Sequence, residues 1–176
     1  MELKFRIVGG SQLQGALEQL ANNAHDASPA MRAVSLVLLR ESERIFAQEG
    51  RGVGLDQPWA PLSDVTKKRR AAKNGGGRMK ILQDSGKLVG SLTPTSTSHS
   101  ASLTTNREYA AAMFFGAKKG ELGSGTDKRG RKFQAPWGDI PSRVFLPLRD
   151  IHSGSAKLTE RAERSMLEVL KRHFGV

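Results

Sequence analysis

The chain has 176 residues, with 28 Lys or Arg against 17 Asp or Glu, a formal charge of +11 and a pI near 10.4. That length suffices for one domain with a hydrophobic core, and the charge favours a polyanionic neighbour, nucleic acid or an anionic membrane, over a neutral one. The absence of cysteine excludes a disulfide framework and a thiolate metal site and fits a reducing compartment.

Leu3, Phe5 and Ile7 alternate with Lys4 and Arg6, a period of two that predicts a short first strand with one buried face. The same stretch lacks the continuous apolar core of a signal peptide, and no segment approaches the roughly 20 apolar residues of a membrane helix. A soluble intracellular protein without a membrane partner is expected. Ser11 is placed as an N-cap, and Leu13, Leu17, Leu20 and Ala24 recur at helical spacing, predicting a first helix. Ser28 followed by Pro29 starts a second helix running to about Glu49. Met31, Val34, Leu38 and Ile45 form its apolar stripe, Val37 and Phe46 widen it, and Arg32, Arg40, Glu43 and Arg44 face away.

Pro58, Trp59, Ala60, Pro61 and Leu62 make an extended segment, because two prolines remove backbone donors and bias their predecessors away from helix. Trp59 is expected to anchor it on the core. Residues 67–80, KKRRAAKNGGGRMK, follow with seven basic residues, no acidic ones and three consecutive glycines. Glycine runs resist ordering and clustered like charges repel, which predicts a mobile loop.

Ile81, Leu82, Gly86 and Leu88 predict a turn or short helix that feeds a strand near Val89. The Thr- and Ser-rich stretch 91–105 reads as a β-hairpin turning at Ser98, His99 and Ser100, with Pro94 marking an edge strand or bulge. Tyr109, Ala110, Met113 and Phe114 fit a helical turn ending at Gly116. A second basic loop precedes a short strand at Val144, Phe145 and Leu146. Residues 155–173 read as a terminal helix with Leu158, Ala162, Ser165, Met166 and Val169 on one face. The expected architecture is a single α+β domain over 1–176, a small antiparallel sheet with a β-hairpin packed against two or three helices, with long mobile basic loops at 65–83 and 117–138.

The charge is segregated. Residues 65–83 hold Lys67, Lys68, Arg69, Arg70, Lys73, Arg78 and Lys80 and no acid; residues 117–134 hold Lys118, Lys119, Lys128, Arg129, Arg131 and Lys132 against Glu121 and Asp127. Elsewhere 15 basic residues face 15 acidic ones, so the whole net charge falls in these two segments. Charge runs also serve as solvated loops that keep a protein soluble, but this segregation exceeds what solubility requires. Aromatic interleaving is absent from the first segment and limited to Phe133 in the second. Phosphate contacts, independent of sequence and sensitive to salt, are therefore expected without base stacking.

Tests for catalytic chemistry fail. Gly86-Lys87 is followed by Leu88 where a phosphate-binding loop needs Ser or Thr, and Ile81 stands where its first glycine belongs. No G-x-G-x-x-G or G-x-S-x-G pattern is completed. His25, His99, His152 and His173 are scattered and read as surface residues. A metal-dependent nuclease would need converging carboxylates, for which Asp84, Glu108 and Asp139 are the candidates; as caps and turn formers they have a simpler account. No cofactor and no enzymatic activity are expected.

Four segments in order resemble the phage virion morphogenesis family, the tail-completion proteins of temperate tailed phages. They are Trp59-Ala60-Pro61-Leu62-Ser63 with Thr66; Ile81-Leu82-Gln83-Asp84-Ser85-Gly86-Lys87-Leu88 with Ser91; Tyr109-Ala110 with Phe115-Gly116; and Ile140-Pro141-Ser142-Arg143-Val144-Phe145-Leu146. The resemblance covers roughly residues 31–148. The family pattern has a His-Gln pair where Met113 and Phe114 stand here. What the resemblance implies is a structural protein acting late in virion assembly, as a ring subunit completing the tail or joining it to the DNA-filled head. Its partners would be further copies of itself, other head, neck and tail proteins, and DNA phosphates; its place would be the head–tail interface of virions assembled in the host cytoplasm. Two other readings are a nonspecific DNA-binding protein acting outside the virion and a metal nuclease. Trp59, Leu62, Leu82, Gly86, Leu88, Tyr109, Phe115, Gly116, Pro141, Arg143 and Phe145 are the candidate core and interface positions, with the Arg143 guanidinium placed either to hold a carboxylate of its own chain or of the next subunit or to stand exposed at the surface.

Overall fold

A computed structural model describes residues 15, 27–74, 77, 79–151 and 155–174. The first strand expected at 3–7 and the first helix expected at 11–24 lie outside these residues, Gly15 excepted, as do His25, Arg78 and His152.

The central element is helix α1, Ser28–Ala47, with Pro29 in its first turn, where a missing N–H breaks no helical bond. It buries Ala30, Met31, Val34, Val37, Leu38, Ile45 and Phe46, a stripe broad enough for two partners. Those partners are the terminal helix α4, Glu160–Phe174, and the antiparallel hairpin of β1, Thr93–Ser96, and β2, Ala101–Thr104. From α4 come Ala162, Met166 and Leu170, buried at successive i+4 positions. Thr159, buried just before α4, lends its hydroxyl to the Ala162 N–H at 3.4 Å as a cap.

One buried group on α1 is charged. Glu41 is 2% exposed and accepts hydrogen bonds from Arg44 Nε at 2.9 Å and Arg161 Nε at 3.3 Å. A carboxylate so enclosed must be paired, and here the pairing ties α4 to α1. The helical pattern placed Arg44 facing away, whereas it folds back onto Glu41.

The fold class is α+β with antiparallel pairing, as expected, but the strands of the described residues form three separate two-stranded ladders rather than one sheet. Pro94 lies in β1 opposite Leu103, and residues 97–100 make the hairpin turn. Residues 89–91 form a 3-10 turn, so that strand β1 begins at Thr93 and not near Val89. The expected strand at residues 144–146 does not form a ladder: the Arg143 N–H bonds the Met113 carbonyl at 2.9 Å and the Val144 carbonyl accepts the Trp59 indole N–H at 2.8 Å. Loop and side-chain partners have taken the groups a ladder would use. Pairing resumes between β5, Leu148–Arg149, and β6, Lys157–Leu158, and the terminal helix begins only after them.

The first basic segment departs most from the expected mobile loop. Residues 64–74 are helical: this is α2, Asp64–Asn74. Lys, Arg and Ala are strong helix formers, and Asp64 sits in the first turn, where the dipole favours an anion. The Ser63 hydroxyl accepts the Thr66 N–H at 3.3 Å, and Lys67 reaches Asp64 at 3.0 Å. Asp84 answers Arg70 at 3.5 Å and Lys73 at 3.7 Å. Repulsion along the stretch is relieved from both ends, since an acid flanks 65–83 on each side, and with Asp64 and Asp84 the stretch has seven cations against two carboxylates.

Candidate nucleic-acid interface

The four sequence motifs meet beside the C-terminal end of α1. Trp59 is 4% exposed and stands edge-on to Phe46, with ring centroids 5.4 Å apart. Phe145 packs on Phe46 and Phe114, and Leu88 is also buried. The Ile81 N–H bonds the Glu49 carboxylate at 2.7 Å, and the Gln83 amide donates to the Phe46 carbonyl at 2.7 Å, which fastens the second motif to the end of α1. Leu62 and Leu82 are half-buried, and Gly86 lies in the turn that leads to the 3-10 segment.

Arg143 interlocks the first and last motifs. It is 7% exposed, with Nε donating to the Ala60 carbonyl at 3.1 Å and Nη2 to the Pro61 carbonyl at 3.3 Å. Two carbonyls of its own chain, and no carboxylate, hold these two guanidinium nitrogens. Burial, and then the charge of Arg70, lower the guanidinium's proton affinity from its usual value.

The third motif is the short helix α3, Ala110–Phe115. Here Phe114 is fully buried, whereas Tyr109 and Phe115 are 45% and 44% exposed. Gly116 has φ +80°, and a Cβ there would stand 2.7 Å from the Ile140 carbonyl oxygen and 2.9 Å from the Ser142 nitrogen. Only glycine lets the third motif close against Ile140, exposed Pro141 and Ser142, where the Ser142 hydroxyl bonds the Phe114 carbonyl at 2.6 Å.

The second basic segment is a hairpin arm. Ala117 and Ile140 exchange N–H···O bonds at its base, and β3, Ser124–Thr126, pairs with β4, Lys132–Gln134, further out. Asp127 closes the turn: one carboxylate oxygen accepts the N–H groups of Arg129 and Arg131, each at 2.9 Å, and the other the Arg131 guanidinium at 2.8 Å. The Arg131 N–H, chiefly, with that guanidinium and the Arg129 N–H adding, holds the carboxyl below the usual range. Asp139 is lowered likewise, first by the Lys119 N–H and then by the charge of Lys118.

The structure sorts the cations. Lys67, Arg70, Lys73, Lys118 and Arg131 are in ion pairs; Arg70 also donates to the carbonyl of half-buried Lys80 at 2.8 Å. Lys68, Arg69, Lys119, Lys128, Arg129 and Lys132 are exposed, with no ion pair among the described residues. Lys67, Arg69 and Arg70 of the first basic segment line a cleft of about 740 Å³ together with Asp139, Ile140 and Pro141 at the base of the arm, and none of the arm's cations lines it. A further aromatic lies just beyond the charged segment that ends at Gln134: Trp137 is 78% exposed and stacks on Phe133.

Asp84 and Asp139 are occupied by Arg70, Lys73, Lys118 and the Lys119 N–H. No group of three His, Cys, Asp or Glu residues able to hold a metal ion occurs among the described residues. His99 and His173 are exposed. No described helix is long and apolar enough to cross a membrane.

Motif residues used to lock one another, beside cations displayed on a helix and an arm, describe a structural protein rather than a catalytic cleft. The chain belongs to the phage virion morphogenesis family, which matches residues 8–175. The family's role is structural, in tail completion, and membership implies contacts with other phage structural proteins. Comparison with curated proteins and with solved structures finds no match.

Proposed function

We propose that the protein is a ring subunit at the head–tail interface, completing the tail or joining it to the head, with the exposed face of α2 and the hairpin arm turned toward the DNA channel. The carrying observation, given the family match over residues 8–175, is that the whole net positive charge falls in residues 65–83 and 117–134, which supply most of α2 and the arm, while Arg143 and Trp59 are used within the fold. In a ring each copy would add its arm to one positive field, and such a field holds phosphates without reading bases. The other contacts would be with head, neck and tail proteins, after assembly in the host cytoplasm.

Electron microscopy of virions and of the purified protein tests the ring; a strictly monomeric copy within virions overturns it. Duplex binding measured against salt tests the DNA-facing part. Neutralising Lys68, Arg69, Lys128 and Arg129 together to Gln should flatten the salt slope by up to about 0.9 for each phosphate no longer neutralised. Unchanged affinity and slope would refute the DNA-facing assignment. Tight binding by a free monomer, with no ring, would favour a DNA-binding protein acting outside the virion.

A further inference from the structure

The geometry points to a site for an unpaired nucleobase and its flanking phosphates on the β3–β4 arm, with Trp137 as the stacking surface and Lys119 and Lys132 as the phosphate ligands. The inference rests on the arm facing DNA and goes beyond it, because phosphate binding alone needs no aromatic.

Trp137 is 78% exposed although Trp carries one of the largest apolar surfaces of any side chain. Its ring is not loose on the surface: it stacks on Phe133, centroids 6.3 Å apart and planes 25° from parallel. Phe133 is in turn seated over Gly125, its cross-strand partner, where a Cβ would stand 2.9 Å from the ring. Glycine at that position lets the phenyl ring lie across the strand, and the phenyl ring then supports the indole. The result is a two-ring platform held by a paired hairpin.

The platform opens into a recess of about 820 Å³, lined also by Lys119, Lys132, Thr126 and Gln134. No carboxylate is among the residues that line it. Flat aromatic surface, two cations and hydrogen-bonding side chains match the three parts of a nucleotide: a π face, a phosphate and polar edges. Bases stack on exposed aromatics with little regard to sequence, but a duplex keeps its bases stacked on one another. The chemistry therefore selects single-stranded nucleic acid, as at an end or a locally opened stretch, over duplex.

The test uses the full chain and an oligothymidylate of about eight nucleotides, with a duplex of equal phosphate count beside it. The oligothymidylate should quench the exposed Trp137, against the background of Trp59, which is 4% exposed. Trp137→Ala should weaken oligothymidylate binding about 5- to 150-fold and leave its salt slope unchanged. Trp137→Phe should recover most of the loss. Lys119→Gln with Lys132→Gln should instead flatten the slope by about 0.7 for each phosphate no longer neutralised. Oligothymidylate affinity unchanged in Trp137→Ala, or Trp emission unmoved at saturation, overturns the inference. Duplex binding that still depends on Lys68, Arg69, Lys128 and Arg129 would then leave the phosphate-binding reading in place. DNA binding unaffected by Trp137→Ala while virion assembly fails would also overturn it, assigning the platform to an acidic protein segment.

Discussion

Replacing Arg143 with methionine distinguishes a residue that locks its own fold from one that waits for a neighbouring subunit. The guanidinium is 7% exposed and spans the Ala60 and Pro61 carbonyls at 3.1 and 3.3 Å. Hydrogen bonds from a charged donor contribute about 1.5–3 kcal/mol each, with the longer of the two at the weak end. Against that loss, methionine keeps much of the packed stem and removes the cost of a buried guanidinium, whose charge is disfavoured by burial and by Arg70. Pro61 is exposed and its carbonyl recovers a bond from water. The balance is a destabilisation of about 2 kcal/mol, or roughly 4–8 °C in Tm for a chain of this size. Urea unfolding followed by the emission of Trp59, whose indole bonds the adjacent Val144 carbonyl, reads it directly. Arg143→Lys keeps the charge but has no planar fork to span two carbonyls, so it should also destabilise. Stability within about 0.5 kcal/mol of the parent in both variants, with oligomerisation abolished, would refute the intrachain role and restore a carboxylate partner on the next subunit.

Gly116→Ala forces both a left-handed backbone on alanine and a Cβ within 3 Å of two backbone atoms, a loss of about 2–4 kcal/mol by thermal unfolding. Glu41→Gln removes the charge that Arg44 and Arg161 share; a loss of about 1–3 kcal/mol in denaturant is expected, and hydrogen exchange should show α4 loosening first. Asp127 carries the pH dependence of the arm. Its folded pKa lies below the unfolded one, so the folded arm binds fewer protons between them, and its contribution is complete above about pH 4 and lost as pH falls through the folded value. Trp137 emission should change in that acid window, and Asp127→Ala should show the acid-state emission at every pH; an identical titration in the variant would refute the assignment.

Much of the framework was legible from residue order alone. The i, i+3, i+4 stripe of α1, the Pro29 start, the Thr-rich hairpin turning at Ser98–Ser100 and the helical turn ending at Gly116 are local patterns, and local backbone preference decides them. The motif segments likewise identify the family, because order and spacing survive in a linear string. What the linear string did not carry is which groups pair across long separations. Asp84 lies ten or more residues from Arg70 and Lys73, yet these ion pairs help turn an expected loop into a helix. Glu41 and Arg161 are 120 positions apart. Arg143 found carbonyls instead of a carboxylate because the Trp59 segment arrives there in three dimensions. Trp137 returns to Phe133 through the course of the arm and through no periodicity. Charge and hydrogen-bond partners are set by distance through space, and that is the part only the tertiary structure decided.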